Sequence, residues 1–213
     1  ARNALPREIN ATRGSTVVQV GMWRPKNALR LARAIGPHGR ALLVEASAEH
    51  AETIRDEFER RGITNMTVIH GAGWHENTEL EFTEGDEPSA NQAVGLEQST
   101  PGTTTDRTFV VPAYRIDDLA KTHGIDFADY IEITVNGAEL DVLRGMPTLL
   151  TQCDHMLVAG MMRSDEGTPL NAAISDHLSG LGFKATVSKS GRQVSDSWGQ
   201  IDGHVFAYRP HGR

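Results

Sequence analysis

The segment Asp129–Gly145, DYIEITVNGAELDVLRG, constrains the fold more than any other part of the chain. It opens as a strand: Tyr130, Ile131, Ile133 and Val135 supply the β-branched and aromatic side chains that suit a pleated surface, and the run breaks at Asn136-Gly137. A helix follows. Leu140, Leu143 and Arg144 recur at helical spacing, and Glu139 in the first turn suits the positive end of the helix dipole. Gly145 reads as the C-cap, and Pro147 prevents continuation. Strand, glycine turn and helix place polar groups at a strand's carboxyl end. In an open parallel sheet that is where ligands bind.

The same alternation runs through the chain. Val17–Gly21 is a β-branched run ending in glycine and reads as a central strand. A helix is expected from about Lys26 to Ile35, with Pro25 in its first turn and Ala28, Leu31, Ala32 and Ile35 as its apolar stripe. Arg40–Glu45 is a second buried strand, Ala48–Arg61 a helix capped by Ser47, and Met66–His70 a third strand. This β-α-β-α-β order is half of a doubly wound sheet. Glu76–Phe82 and Thr108–Pro112 read as extended, Arg115–His123 as a short helix. Residues 84–105, rich in Gly, Ser, Thr, Pro and Asp, read as a long loop or lid. After the opening segment come a strand at His155–Met161, a helix at Pro169–Leu181, and strands at Phe183–Ser188 and His204–Tyr208.

Composition narrows the function. The 213 residues are 38% hydrophobic and 23% charged, an ordinary globular balance expected to make one domain over residues 1–213. A net charge of −7 argues against a phosphate-backbone partner, so no nucleic acid is expected. Arg24, Lys26, Arg30 and Arg33 read as a solvated helix face. The single cysteine, Cys153, excludes an intrachain disulfide and a Cys-rich zinc site and points to a reducing, cytoplasmic setting. No metal site is expected, because His70 and His75 find no third ligand. No apolar run approaches a membrane span of about 18–20 residues. The start shows no apolar signal core, and without an initiator Met, residues ahead of Ala1 are left open.

The residues themselves suggest a nucleotide-like ligand across the tips of the first, second and opening-segment strands. Gly21 permits close backbone approach. Glu45, a little over 20 residues beyond Gly21, has the spacing of a ribose-binding carboxylate. Ala72 and Gly73 keep a flat slot open, and Trp74 is placed to stack on a base. Asp165 and Glu166, after the His155–Met161 strand, are weak candidates for a general base.

Several of these places together resemble the FkbM-type methyltransferase family. Gly137, Ala138, Glu139, Val142, Leu143 and Gly145 fit its signature, with Thr134 and Asn136 standing where the family has acids. Gln19-Val20-Gly21 matches one form of its first strand, while Met22-Trp23-Arg24-Pro25 departs from the usual turn. Glu45-Ala46-Ser47, the segment 65–82 and Asp117-Asp118-Leu119 are also similar. The resemblance implies an α/β class I methyltransferase (Rossmann-like) fold: a three-layer sandwich around a mostly parallel seven-stranded sheet with an antiparallel C-terminal hairpin. It implies S-adenosylmethionine as cofactor, held by Gln19, Gly21, Met22, Trp23, Glu45, Ala46, Ala72, Gly73, Thr134, Asn136 and Glu139. It implies O-methylation of a small-molecule or glycan acceptor, a hydroxyl of a sugar, lipid or natural product. The lost acids motivate an alternative, a catalytically inactive binding or assembly module on the same fold, with a collapsed cofactor pocket and self-association into a homo-oligomer. A nicotinamide-dependent oxidoreductase is disfavoured, since no G-x-G-x-x-G follows the first strand.

Overall fold

Short β-branched runs alternating with amphipathic helices build the central layer. The computed structural model describes residues 11–22, 24–85, 91–96, 98–99, 104–160, 163–164, 170–187 and 203–210. The first half runs β1 (Thr16–Val20), α1 (Pro25–Ile35), β2 (Arg40–Glu45), α2 (Ala48–Arg60) and β3 (Met66–His70). Next come β4 (Ala72–Gly73), β5 (Thr78–Gly85), β6 (Gln92–Ala93), β7 (Gln98–Ser99), β8 (Thr104–Tyr114) and α3 (Ile116–Thr122). The chain continues with β9 (Ala128–Ile133), α4 (Glu139–Arg144), α5 (Pro147–Thr151), β10 (Cys153–Val158) and β11 (Arg163–Ser164). It finishes with α6 (Leu170–Gly180), β12 (Lys184–Val187) and β13 (Val205–Tyr208).

Seven strands form the main sheet in the order β12-β13-β10-β9-β1-β2-β3. The β1–β2, β2–β3, β1–β9 and β9–β10 pairings are parallel, and β13 runs antiparallel to both β10 and β12. One face buries Val18, Val20, Leu42, Val44, Ile131 and Ile133 against α3 to α6. The other buries Val17, Leu43 and Leu157 with Ala28, Leu31 and Ile35 of α1 and Ile54 and Phe58 of α2. This is the expected three-layer sandwich with its antiparallel finish. Chain order reverses between β1 and β9, which leaves a crevice at the carboxyl ends of those strands.

The residues between β3 and α3 depart from expectation. The described part of 84–105 is not one long loop. β5 extends to Gly85, β6 pairs with β5, and β8 starts at Thr104, making a second sheet of order β4-β8-β5-β6. Leu80, Phe82, Phe109, Val111 and Ala113 give it an apolar face packed on Ala72 and Trp74. That alternation holds a hairpin together despite the polar sequence at its tip. β7 pairs with β11, tying the same excursion to the chain beyond β10.

The α4–α5 corner also differs. Gly145 follows α4 as expected, yet its φ is −80°, not left-handed. Glycine is required there by packing: a Cβ at 145 would lie 1.9 Å from the Trp74 carbonyl oxygen. Pro147 begins a further helix, α5, whose first amides are capped by Asp117: its carboxylate accepts from Thr148 N and Leu149 N, both at 2.8 Å. Asp117 therefore fastens the start of α3 to α5.

Two carboxylates are buried in the interior. Glu132 on β9 accepts from Gln19 Nε2 and from the Tyr130 hydroxyl, each at 3.0 Å, and burial pushes its pKa up to about 7. Glu139 in the first turn of α4 is fully buried. Neither of its oxygens has a hydrogen-bond partner, and burial raises its pKa to about 8 against the smaller opposing pull of nearby backbone amides. At neutral pH the folded protein holds protons on these groups that the unfolded chain releases.

Two predictions follow from the packing and the buried acids. Gly145→Ala should lower unfolding free energy by about 2–4 kcal/mol through overpacking. Gly180→Ala, where nothing lies within 4 Å of the added Cβ, should be neutral or slightly stabilising in the same denaturant titration. Raised acid pKa values give stability that is complete below about pH 4.5 and declines as pH rises through 7 and 8. Glu139→Gln should therefore gain on the wild type between pH 5 and 8.5 by on the order of 2–4 kcal/mol. Identical pH dependence of the two proteins in thermal melts would contradict this.

Candidate functional site

The crevice at the sheet's switch point holds a cavity of about 450 Å³. Its floor begins at the β1 turn, where Gly21 (φ +80°) donates from its amide to Val44 O at 2.8 Å. Thr134, just past β9, donates from its amide to Val20 O at 2.9 Å and from its hydroxyl to Gly21 O at 3.1 Å. A Cβ at Gly21 would lie 2.3 Å from Thr134 O. The glycine is thus required first by the protein's own backbone. β9 ends at Ile133, two residues short of Val135.

β2 delivers Glu45 to the same rim. Its Oε1 accepts from Ser47 N at 2.7 Å, and the amides of Met22 and Ala46 also favour the charged form. Burial outweighs them and raises the pKa to about 7. Oε2 has no hydrogen-bond partner, although Glu45 is only 6% exposed. Ser47 itself caps α2, accepting from His50 N at 3.3 Å. The β3 turn supplies Gly71, Ala72, Gly73 and half-buried Trp74 to the wall. Here too packing explains a glycine: a Cβ on Gly73 would meet Val20 Cγ1 at 2.7 Å.

The small sheet forms the roof. Leu80 and Phe82 of β5, Asn91 to Ala93, and Leu96 line the cavity from above. Asn136, after β9, donates from its side-chain amide to Asn91 O at 3.0 Å, joining floor to roof. Ala159 and His204 complete the far end.

The structure brings Gly21, Met22, Glu45, Ala46, Ala72, Gly73, Thr134 and Asn136 around this one cavity. Gln19 and Glu139 do not line it. Gln19 lies beneath, bonded to Glu132, and Glu139 sits in the interior at the start of α4. Trp23, Asp165 and Glu166 lie outside the described residues. His75 is committed to Asp141 (3.1 Å), which also holds Arg144. Cys153 is buried, and burial pushes its thiol pKa well up. Among the described residues no group of three or more His, Cys, Asp or Glu could hold a metal ion, and no helix is long and apolar enough to cross a membrane.

Sequence reasoning missed the roof residues and His204. Alternation in the 76–82 run carried a signal for Leu80 and Phe82, because same-face residues of a strand share a destination. For His204 the signal was a polar residue at the start of a terminal antiparallel strand, the end that returns to the ligand rim.

Comparison with known proteins agrees with this geometry. Among solved structures, an FkbM methyltransferase from Methylobacillus flagellatus KT superimposes with a TM-score of 0.60 at 11% identity, covering 92% of this chain and 44% of that one. The fibrillarin of Aeropyrum pernix, solved with natively bound S-adenosyl-L-methionine, gives a TM-score of 0.56 at 14% identity, covering 93% and 67%. These likenesses are of fold. A protein-L-isoaspartate O-methyltransferase of Methanococcoides burtonii is 32% identical over 65 residues, which is 30% of this chain and 32% of that relative's length. The family profile of the methyltransferase FkbM domain matches residues 19–185, most of the chain and all of the described cavity lining except His204. The chain belongs to the FkbM methyltransferase domain family.

Proposed function

We propose that the chain is an S-adenosylmethionine-dependent methyltransferase that transfers a methyl group to the hydroxyl of a sugar, lipid or natural product. One observation carries the cofactor reading: Glu45 Oε2, a buried carboxylate oxygen without a partner on the cavity wall. An unpaired buried acceptor is costly unless a ligand satisfies it. A ribose diol offers two donors to such a carboxylate, and the neighbouring Ala72, Gly73 and Trp74 suit a flat base beneath the apolar roof of Leu80 and Phe82. In this reading Gly21, Met22, Thr134 and Asn136 border the amino-acid portion. The cofactor would supply an electrophilic methyl group; the chain's own residues bind and orient it and exclude water.

A second reading, binding without transfer, draws on one feature. Thr134 and Asn136 direct hydrogen bonds to Gly21 and Asn91 of the chain itself. Neutral groups already engaged in this way offset a cationic ligand less than carboxylates would. Against it stands the open cavity, where that reading expects a collapsed one. A cytoplasmic setting suits the lone buried thiol under either reading.

Isothermal titration of the wild type with S-adenosylmethionine tests the first reading. Hydroxyl donors favour ionised Glu45, so affinity should rise between pH 6 and 8, through the raised pKa of about 7. Glu45→Gln should bind at least about tenfold more weakly at pH 8, since a charge-assisted bond is lost, and should flatten the pH dependence. Absence of binding by the wild type would refute the proposal.

A further inference from the structure

Among its described lining residues the cavity has two titratable side chains, Glu45 and His204, and they stand at opposite ends. Glu45 closes β2 and His204 immediately precedes β13, with β1, β9 and β10 between those strands. At about 4.8 Å per strand, the two strands are roughly 19 Å apart. The far end is otherwise neutral among the described residues: Thr134, Asn136 and Ala159.

Two glycines set the backbone that carries His204. Gly203 has φ +82° and turns the chain into β13. Gly160, just past β10, stands where a Cβ would come within 2.6 Å of Gly203 O and 2.8 Å of Asn171 Cβ. Without that Cβ the chain at 203–204 crosses closely over the end of β10, and the Val158–Val205 pairing fixes its register. The terminal antiparallel strand thus delivers a histidine, 8% exposed, to the ligand rim.

Resting on the adenosyl reading above, we propose that His204 is the proton acceptor for the hydroxyl that is methylated. With the ribose at Glu45, the reactive methyl extends along the rim past β1 towards β9 and β10, and the acceptor occupies the His204 end. The acceptor oxygen bonds to the methyl carbon as the carbon–sulfur bond breaks, with that bond's electron pair staying on sulfur. The hydroxyl proton passes to the imidazole and then to water. An imidazole ring nitrogen can take up a hydroxyl proton and pass it on, the usual work of histidine in general base catalysis. Among the described residues the lining on this side of the cavity is uncharged: Thr134 and Asn136 after β9 and Ala159 after β10, while Gly160 lies between Gly203 and Asn171 of α6. Asp154 and His155 of β10, Lys184 of β12, and Tyr208 and Arg209 at the end of β13 lie at the opposite end of these strands, about 10 Å or more away by strand rise. Asp176 and His177 lie further along α6.

The test uses the full chain and two ligands that share the adenosine and amino-acid portions. One is S-adenosylhomocysteine. The other is sinefungin, which places an ammonium-bearing carbon where the sulfonium and its methyl would be. A neutral imidazole accepts a hydrogen bond from that ammonium, directly or through one water, whereas imidazolium repels it. Effects of Glu45 cancel in the ratio of the two affinities. From pH 5.5 to 8 the wild type should shift its preference towards sinefungin by about five- to tenfold, as expected for one charge a few ångströms away. His204→Gln and His204→Ala should show a flat ratio and bind S-adenosylhomocysteine within about threefold of wild type, as distant, independent groups do. A pH-independent ratio in the wild type overturns the proposal, as does a pH dependence that survives in both variants. Loss of S-adenosylhomocysteine binding in both would make His204 a cofactor-holding residue and overturn it too. If neither ligand binds the wild type, the adenosyl reading itself fails, and the assignment of His204 with it.

Discussion

The structure depends on a backbone clasp at the seam where the sheet reverses direction. Gly21 bonds to Val44 of β2, Thr134 of the β9 turn bonds to Val20, and the missing Cβ of Gly21 leaves room for the Thr134 carbonyl. Three strand ends are thereby held in register at one point. Much of the cavity rim is hung from them: Glu45 one residue beyond Val44, Asn136 two residues beyond Thr134, and the roof through the Asn136–Asn91 bond. A side chain at position 21 would need a left-handed φ that L-residues disfavour and would also clash. The site's shape is therefore a consequence of how the sheet closes on itself.

Buried carboxylates mark the layers beneath that rim. Glu45, Glu132 and Glu139 all have raised pKa values, and desolvation is the leading cause for each. They differ in what answers the cost. Glu132 accepts from Gln19 and Tyr130. Glu45 has one satisfied oxygen and one left over at the cavity wall. Glu139 has neither oxygen bonded and lies off the cavity. Of these three carboxylates only Glu45 combines an unsatisfied atom with access to the cavity, and this separates a ligand site from an interior acid.

The layers of the fold were legible because hydrophobic period speaks directly of burial. Val17–Val20, Arg40–Glu45 and Met66–His70 read as strands for that reason, and Pro25 and Ser47 marked helix starts through their own chemistry. Gly21, Glu45, Ala72 and Gly73 could be placed on one rim because a parallel sheet puts successive strand ends on the same edge. Their reasons were less legible. Gly21 and Gly73 are fixed by contacts with Thr134 and Val20, residues distant in sequence. Gln19 and Glu139 resembled site residues, yet their side chains turn away from the cavity lining. The small sheet was obscured because its alternation is interrupted by a polar tip. His204 was obscured because a lone histidine before a strand gains meaning only once β13 is known to run antiparallel beside β10.

The central claim is that the rim above β1 and β2 is an adenosyl site with its ribose at Glu45. A crystal structure grown with S-adenosylhomocysteine tests it most directly. The account predicts the ribose hydroxyls within hydrogen-bond distance of Glu45 and the base between Trp74 and the roof of the small sheet. Ligand density elsewhere on the molecule, with Glu45 left without a ligand contact, would contradict it.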